Sequence, residues 1–194
     1  FIYFNDDMFL IKKSSPKEWF IENKAVLSGN WAKTYNIQPL KKISSMIKHV
    51  FKIRPSYNAA QSRSANIAGF KREYFRSYHS GRPQIKSIIK SFYEKNPNML
   101  KKQLKHKFRN DKQYMPYSLC WHLLIKEERY VKVSKSKLVE IKKIRDYTPH
   151  KLKELLNELD NNEEVKLLNI QDLNYASEDT SMVFKNWFFN KLTN

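Results

Sequence analysis

FIYFNDDMFL, residues 1–10, decides how the rest of the chain is read. Phe1 to Phe4 is a short aromatic and apolar run. It predicts a buried strand, because aromatic and β-branched side chains suit a pleated, packed surface. Asn5, Asp6 and Asp7 follow at once, and the chain turns apolar again from Met8 to Ile11. Ionised carboxylates resist burial unless they are paired or hold a metal. A strand that ends in two of them places acids at the mouth of an α/β sheet, where ligands bind. Asn and Asp are also ordinary turn residues, so local chemistry taken alone favours a turn.

The 194 residues are enough for one domain with a real core and few for two. With 41% hydrophobic and 14% aromatic residues, the composition is that of a folded chain. No run of about eighteen apolar residues occurs, and no signal peptide is visible. The chain opens on Phe1, inside a predicted strand, which suggests a piece of a longer protein. A single cysteine, Cys120, rules out an internal disulfide and a multi-cysteine zinc site. Beside Trp121 it reads as a core residue, which fits a reducing cytoplasm.

The net charge of +18 is unevenly spread. Residues 151–194 hold 5 basic and 8 acidic residues, net −3, which leaves 32 and 11, net +21, for residues 1–150. Such a field draws anions: nucleic acids, nucleotide-sugars, phosphorylated glycans or an acidic membrane face.

Along the chain, Ser14 or Ser15 followed by Pro16 predicts a helix through Trp19 and Phe20, and Gly29-Asn30-Trp31 predicts a loop. From Pro39 a basic amphipathic helix is expected, with Leu40, Ile43, Met46, Ile47, Val50 and Phe51 packing on the core. Residues 57–67 suit a helix. In residues 70–78 basic side chains alternate with aromatic ones, as on a nucleic-acid surface or in a sugar-phosphate pocket. His79-Ser80-Gly81-Arg82-Pro83 reads as a polar turn. Helices are expected from Pro83, Pro97, Tyr117, Pro149 and Ser181, and strands at Tyr130–Val133 and Val165–Ile170.

Only three glycines are present, and there is no Walker loop, GxGxxG, HExxH or GxSxG. Any phosphate must then be held by side chains and helix termini. What remains is a dispersed set: Asp6 and Asp7, His79 in a loop, Arg109 in the basic stretch KHKFRNDKQYMP (residues 105–116), and Asp172 after a strand. Carboxylates can hold Mg²⁺, which bridges phosphates. A histidine can act as general base on an acceptor hydroxyl, and an arginine can clamp a phosphate. Each member alone is more simply a surface or capping residue. Physics by itself supports an α/β domain that binds anions.

Taken in order, these residues resemble the Stealth family of hexose-1-phosphoryl transferases, which includes bacterial capsular polysaccharide phosphotransferases. FIYFNDDMFL is similar to the family's second conserved region. His79, the helix from Pro83 and KHKFRNDKQYMP look like the third. VKLLNIQD, residues 165–172, looks like the fourth, with Gln171-Asp172 where the family usually has Asn-Asp. The first region has no counterpart here.

The resemblance implies a helix-rich, Rossmann-like nucleotide-sugar transferase core, incomplete at the N-terminus, with residues 1–194 forming one partial catalytic domain. It implies transfer of a sugar-1-phosphate from a UDP-sugar to a hydroxyl of a glycan acceptor in capsular or cell-surface polysaccharide synthesis. Asp6, Asp7, His79 and Arg109 are the implied catalytic residues. Asn5 and Asp172 would bind substrate, and Asp6 and Asp7 would hold Mg²⁺ or Mn²⁺. The implied location is cytoplasmic, at the inner face of the membrane within a polysaccharide synthesis complex. The alternative from charge and residues 70–82 is a nucleic-acid-binding module, which predicts binding that weakens steeply with salt.

Overall fold

The computed structural model describes all residues except 39, 41, 42, 45, 46, 48–55, 108, 109, 111, 134–136 and 194. In chain order the strands are β1 (Ile2–Tyr3), β2 (Met8–Leu10), β3 (Phe20–Ile21), β4 (Lys24–Lys33), β5 (Glu73–Ser77), β6 (Arg82–Pro83), β7 (Tyr130–Val133), β8 (Leu138–Ile141) and β9 (Leu167–Ile170). The α-helices are α1 (Tyr57–Ala68), α2 (Lys86–Lys95), α3 (Pro97–Leu104), α4 (Pro116–Lys126), α5 (Pro149–Asn161) and α6 (Glu178–Thr193). Contacts divide this mixed α/β chain into two units. The first comprises Phe1–Tyr3, Lys17–Tyr78 and Arg82–Lys135, the second Phe4–Pro16, His79–Gly81 and Ser136–Asn194.

The first unit is built on β4. Its first half pairs with β3 and, in parallel, with β7, while its second half pairs antiparallel with β5. Gly29-Asn30-Trp31 is therefore mid-strand and not a loop. Gly29 is needed for a different reason from a turn: a Cβ there would collide with the Arg76 carbonyl oxygen and lie 2.7 Å from Phe75 Cε1. Helix α4 packs on β4 and β5. It is apolar nearly all round, and Leu119, Cys120, Trp121 and Leu124 are wholly buried. Burial pushes the Cys120 thiol up to about 11, with weaker opposing contributions. Helix α1 packs on α4 and buries small residues, Ala60, Ser64, Ala65 and Ala68 among them. Ser56 caps its start and Gly69, at φ +105°, ends it.

Several expectations change in this unit. Phe1 and Tyr3 are exposed at 65% and 43%, because β1 pairs only with the two-residue β6. Pro16–Glu18 is a single 3₁₀ turn, and Phe20 joins β3 instead of a helix. Pro83 belongs to β6, and α2 begins at Lys86. Much of the helix expected from Pro39 lies outside the described residues, and its Leu40, Ile43 and Ile47 are exposed and not core. Within residues 70–78, Glu73–Ser77 forms strand β5. Tyr74 and Phe75 are buried in the core, and burial raises the Tyr74 phenol to about 12.

The second unit is organised by a crossover. Strand β8 leads through α5 to β9, which pairs with β8 in parallel. Thr148 caps α5 by accepting the Lys151 N–H at 3.3 Å, with Pro149 at the first helical position. Leu152, Leu156 and Leu159 form the stripe of α5 that enters a core with Ile141, Leu168, Ile170 and Phe184. Strand β2 adds antiparallel to β9, and its Phe9 meets Phe184 and Phe188 of α6 edge-on at 5.2 and 5.0 Å. Strand β8 was not anticipated, because Glu140 interrupts its apolar pattern.

Candidate functional site

Register decides what gathers at one end of the second unit's sheet. Met8 is opposite Asn169, and the Ile170 N–H donates to the Asp7 carbonyl at 2.9 Å. The start of antiparallel β2 therefore lies beside the end of β9. Asn5-Asp6-Asp7 thus sits next to Gln171-Asp172, although the two segments are more than 160 residues apart in sequence. The carboxylates follow β1 as the sequence suggested, but they reach the carboxyl end of the parallel pair because β2, which they precede, runs antiparallel to β9.

The turn itself is ordinary: the Met8 N–H donates to the Asn5 carbonyl at 3.2 Å. Its side chains are not. Asp6 is exposed and Asp7 half-buried, and Asp7 Oδ1 is buried with no hydrogen-bond partner. A buried carboxylate oxygen without a donor is unfavourable, and a cation or a donor-bearing ligand would relieve it. Ser80 Oγ, in the second unit too, is likewise buried without a partner. Asn5, Asp6 and Asp7 offer oxygen donors only. Two carboxylates that leave room for substrate phosphates suit Mg²⁺, so these residues fit the ion. Among the described residues no group of three or more His, Cys, Asp or Glu is placed to hold a metal unaided.

His79-Ser80-Gly81 contributes to the second unit from the middle of a stretch otherwise in the first. His79 Nδ1 lies 3.0 Å from Gln171 Nε2 and 3.6 Å from Glu140 Oε1. Gln171 Nε2 also reaches Glu140 Oε1 at 3.2 Å and Asn169 Oδ1 at 3.3 Å. Asn169, wholly buried, donates from Nδ2 to the Asp7 carbonyl at 2.9 Å. A chain of polar contacts therefore runs from the NDD turn to His79 through Asn169 and Gln171. Lys142 approaches the far side of Glu140 at 3.7 Å. Asp172 adopts left-handed backbone at φ 62° and starts a 3₁₀ turn through its carbonyl, which accepts the Tyr175 N–H at 2.8 Å. Its side chain makes no capping bond.

Asn5, Asp6, Asp7, His79 and Asp172 are thus all in one unit. Arg109 lies outside the described residues. Sequence reasoning missed Glu140, Asn169 and Ser80. The first two had a signal: each is a polar residue inside an apolar strand, KLVEI and LLNI. Comparison with known protein families and with curated proteins gives no match for this chain.

Proposed function

We propose that the chain transfers a sugar-1-phosphate from a UDP-sugar to a hydroxyl of a glycan acceptor. The observation that carries the reading is the shared sheet end. Asp7, with its unpartnered buried oxygen, is joined by hydrogen bonds to the strand that presents Gln171 to His79. Anionic ligands of α/β proteins bind outside the carboxyl ends of parallel strands, and the β8–α5–β9 crossover supports a Rossmann-like reading of this unit.

In the proposed reaction an acceptor hydroxyl oxygen bonds to the sugar-bearing phosphorus. The bond from that phosphorus to UMP breaks, UMP leaves, and the hydroxyl proton is released. Asp6 and Asp7 would hold Mg²⁺ or Mn²⁺, which would supply neutralisation of phosphate charge. Asn5 and Asp172 flank the donor, His79 acts at the transferring group, and Arg109 stabilises its charge. The field of residues 1–150 favours an anionic donor and glycan, and a membrane-associated synthesis complex at the cytoplasmic face.

The test is UMP release from a panel of UDP-sugars with Mg²⁺ and glycan acceptors. Asp7→Asn, His79→Ala and Arg109→Ala are each expected to reduce turnover by roughly 10²–10³-fold. Unchanged turnover in all three would sink the assignment.

A further inference from the structure

Gln171 has more neighbours than its amide has hydrogens. Its Nε2 faces His79 Nδ1, Glu140 Oε1 and Asn169 Oδ1 at 3.0, 3.2 and 3.3 Å. A carboxylate and an amide carbonyl only accept. Turning the amide over would set Gln171 Oε1 against both oxygens, so the NH₂ group must face them. With one N–H shared between Glu140 and Asn169, the other is left for Nδ1. A ring nitrogen that receives an N–H carries no proton of its own, so the neutral imidazole keeps its proton on Nε2. Glu140 Oε1, at 3.6 Å, is beyond hydrogen-bond range of Nδ1.

We propose that Gln171, oriented by Glu140 and Asn169, is a positioning residue that fixes His79 in the Nε2–H tautomer, so that His79 donates a hydrogen bond to a phosphate oxygen and does not act as a general base. This reverses the Ser-His-Asp arrangement, in which a carboxylate at Nδ1–H leaves the Nε2 lone pair to take a proton. It suits phosphoryl transfer, whose loose transition state gains from donors around the phosphate oxygens and asks little covalent chemistry of the protein. The phosphate ligand rests on the function proposed above, but the tautomer does not.

Long-range ¹H–¹⁵N correlation of the imidazole nitrogens, at about pH 8 where an ordinary histidine is neutral, reads the tautomer directly. His79→Gln assigns the signals. The wild type is expected to show a pyrrole-like Nε2 and a pyridine-like Nδ1. Gln171→Glu puts an acceptor where the donor was and should exchange the two. Gln171→Leu should leave a mixture and lower turnover about tenfold. A wild-type His79 protonated at Nδ1, or a Gln171→Glu spectrum with the wild-type pattern, overturns the tautomer assignment. UDP should move the Nε2–H signal of the wild type, and UDP without effect there overturns the donor role. A wild type that binds UDP through His79 yet releases no UMP from any UDP-sugar sinks the transferase reading alone.

Discussion

His122 of the first unit and His79 of the second are held in opposite ways. His122, on α4, is wholly buried. Its Nε2 accepts the Phe75 N–H at 2.9 Å, and its Nδ1 lies 2.6 Å from the Ser118 carbonyl one turn back. The proton is therefore on Nδ1, and both nitrogens serve the backbone. Burial drives its pKa down to about 4, only partly opposed by the Ser118 carbonyl. His79 is half-buried, and its Nδ1 is engaged by side chains at a sheet end. A histidine consumed by backbone groups is a strut between a helix and a strand. One set by a polar side-chain chain that leads to the NDD turn fits the ligand role proposed for it above.

Exchanging the two roles would break this contrast. His79→Ala, which removes a donor to the phosphate, should lower UMP release by about 10²-fold or more. Its unfolding free energy in urea should stay within about 0.5 kcal/mol of wild type. His122→Ala leaves the Phe75 N–H without its side-chain acceptor and opens a cavity, so it should lose about 3 kcal/mol. A His122→Ala protein with the wild-type urea midpoint would show that the buried ring is not a strut.

Acid sharpens the same contrast. The folded pKa of His122 lies near 4, below its ordinary 6.5, so the unfolded chain takes up the proton first. This contribution leaves stability intact above pH 6.5. It lowers stability as pH falls from 6.5 to 4, and is constant below that. The full change corresponds to about 3 kcal/mol. Urea midpoints of wild type and His122→Phe at several pH values separate it from carboxylate titration. Parallel profiles would refute the lowered pKa. A smaller effect of about 2 kcal/mol is expected for Gly29→Ala, whose methyl must displace the Arg76 carbonyl and the Phe75 ring in the strand pair next to His122. Thermal denaturation with no shift would mean that β4 and β5 separate there without penalty.

Gly29 also shows where the sequence misleads. GNW has turn composition, but the glycine serves close backbone approach, and only the facing strand reveals that. The long apolar helices α4 and α5 were legible because one is apolar nearly all round and the other carries a clear stripe. Among the short strands, β1, β7 and β9 were legible from their apolar and β-branched runs, but β8, four residues broken by Glu140, was not, and neither was the two-residue partner of β1 at residues 82–83. For the site, Asp7, His79 and Asp172 could be picked out by residue type. Their assembly could not, since it depends on an antiparallel register between residues 8 and 169. Asn169 and Glu140 act through His79 and Asp7, and a polar residue in an apolar strand signals burial without saying what it serves.

Lys12 applies the His122 criterion to a charge in the second unit. It follows β2, and its side chain is only 13% exposed. Its ammonium donates to the Asn162 carbonyl at 2.6 Å and the Asp160 carbonyl at 3.4 Å, at the end of α5. Those carbonyls have no partner within the helix and carry the negative end of its dipole. Glu163, 3.5 Å away, has a side chain 89% exposed, so that ion pair adds little in water. Although basic and in the unit that holds His79, Lys12 is thereby assigned to structure. Lys12→Met keeps the stem and removes the charge. It should lower stability by about 1 kcal/mol and leave UMP release unchanged, with Lys12→Arg recovering part of the loss. If Lys12→Met slowed transfer as much as His79→Ala, backbone partnership would not separate struts from site residues in this unit. The basic field would then be acting through single lysines and not as a whole.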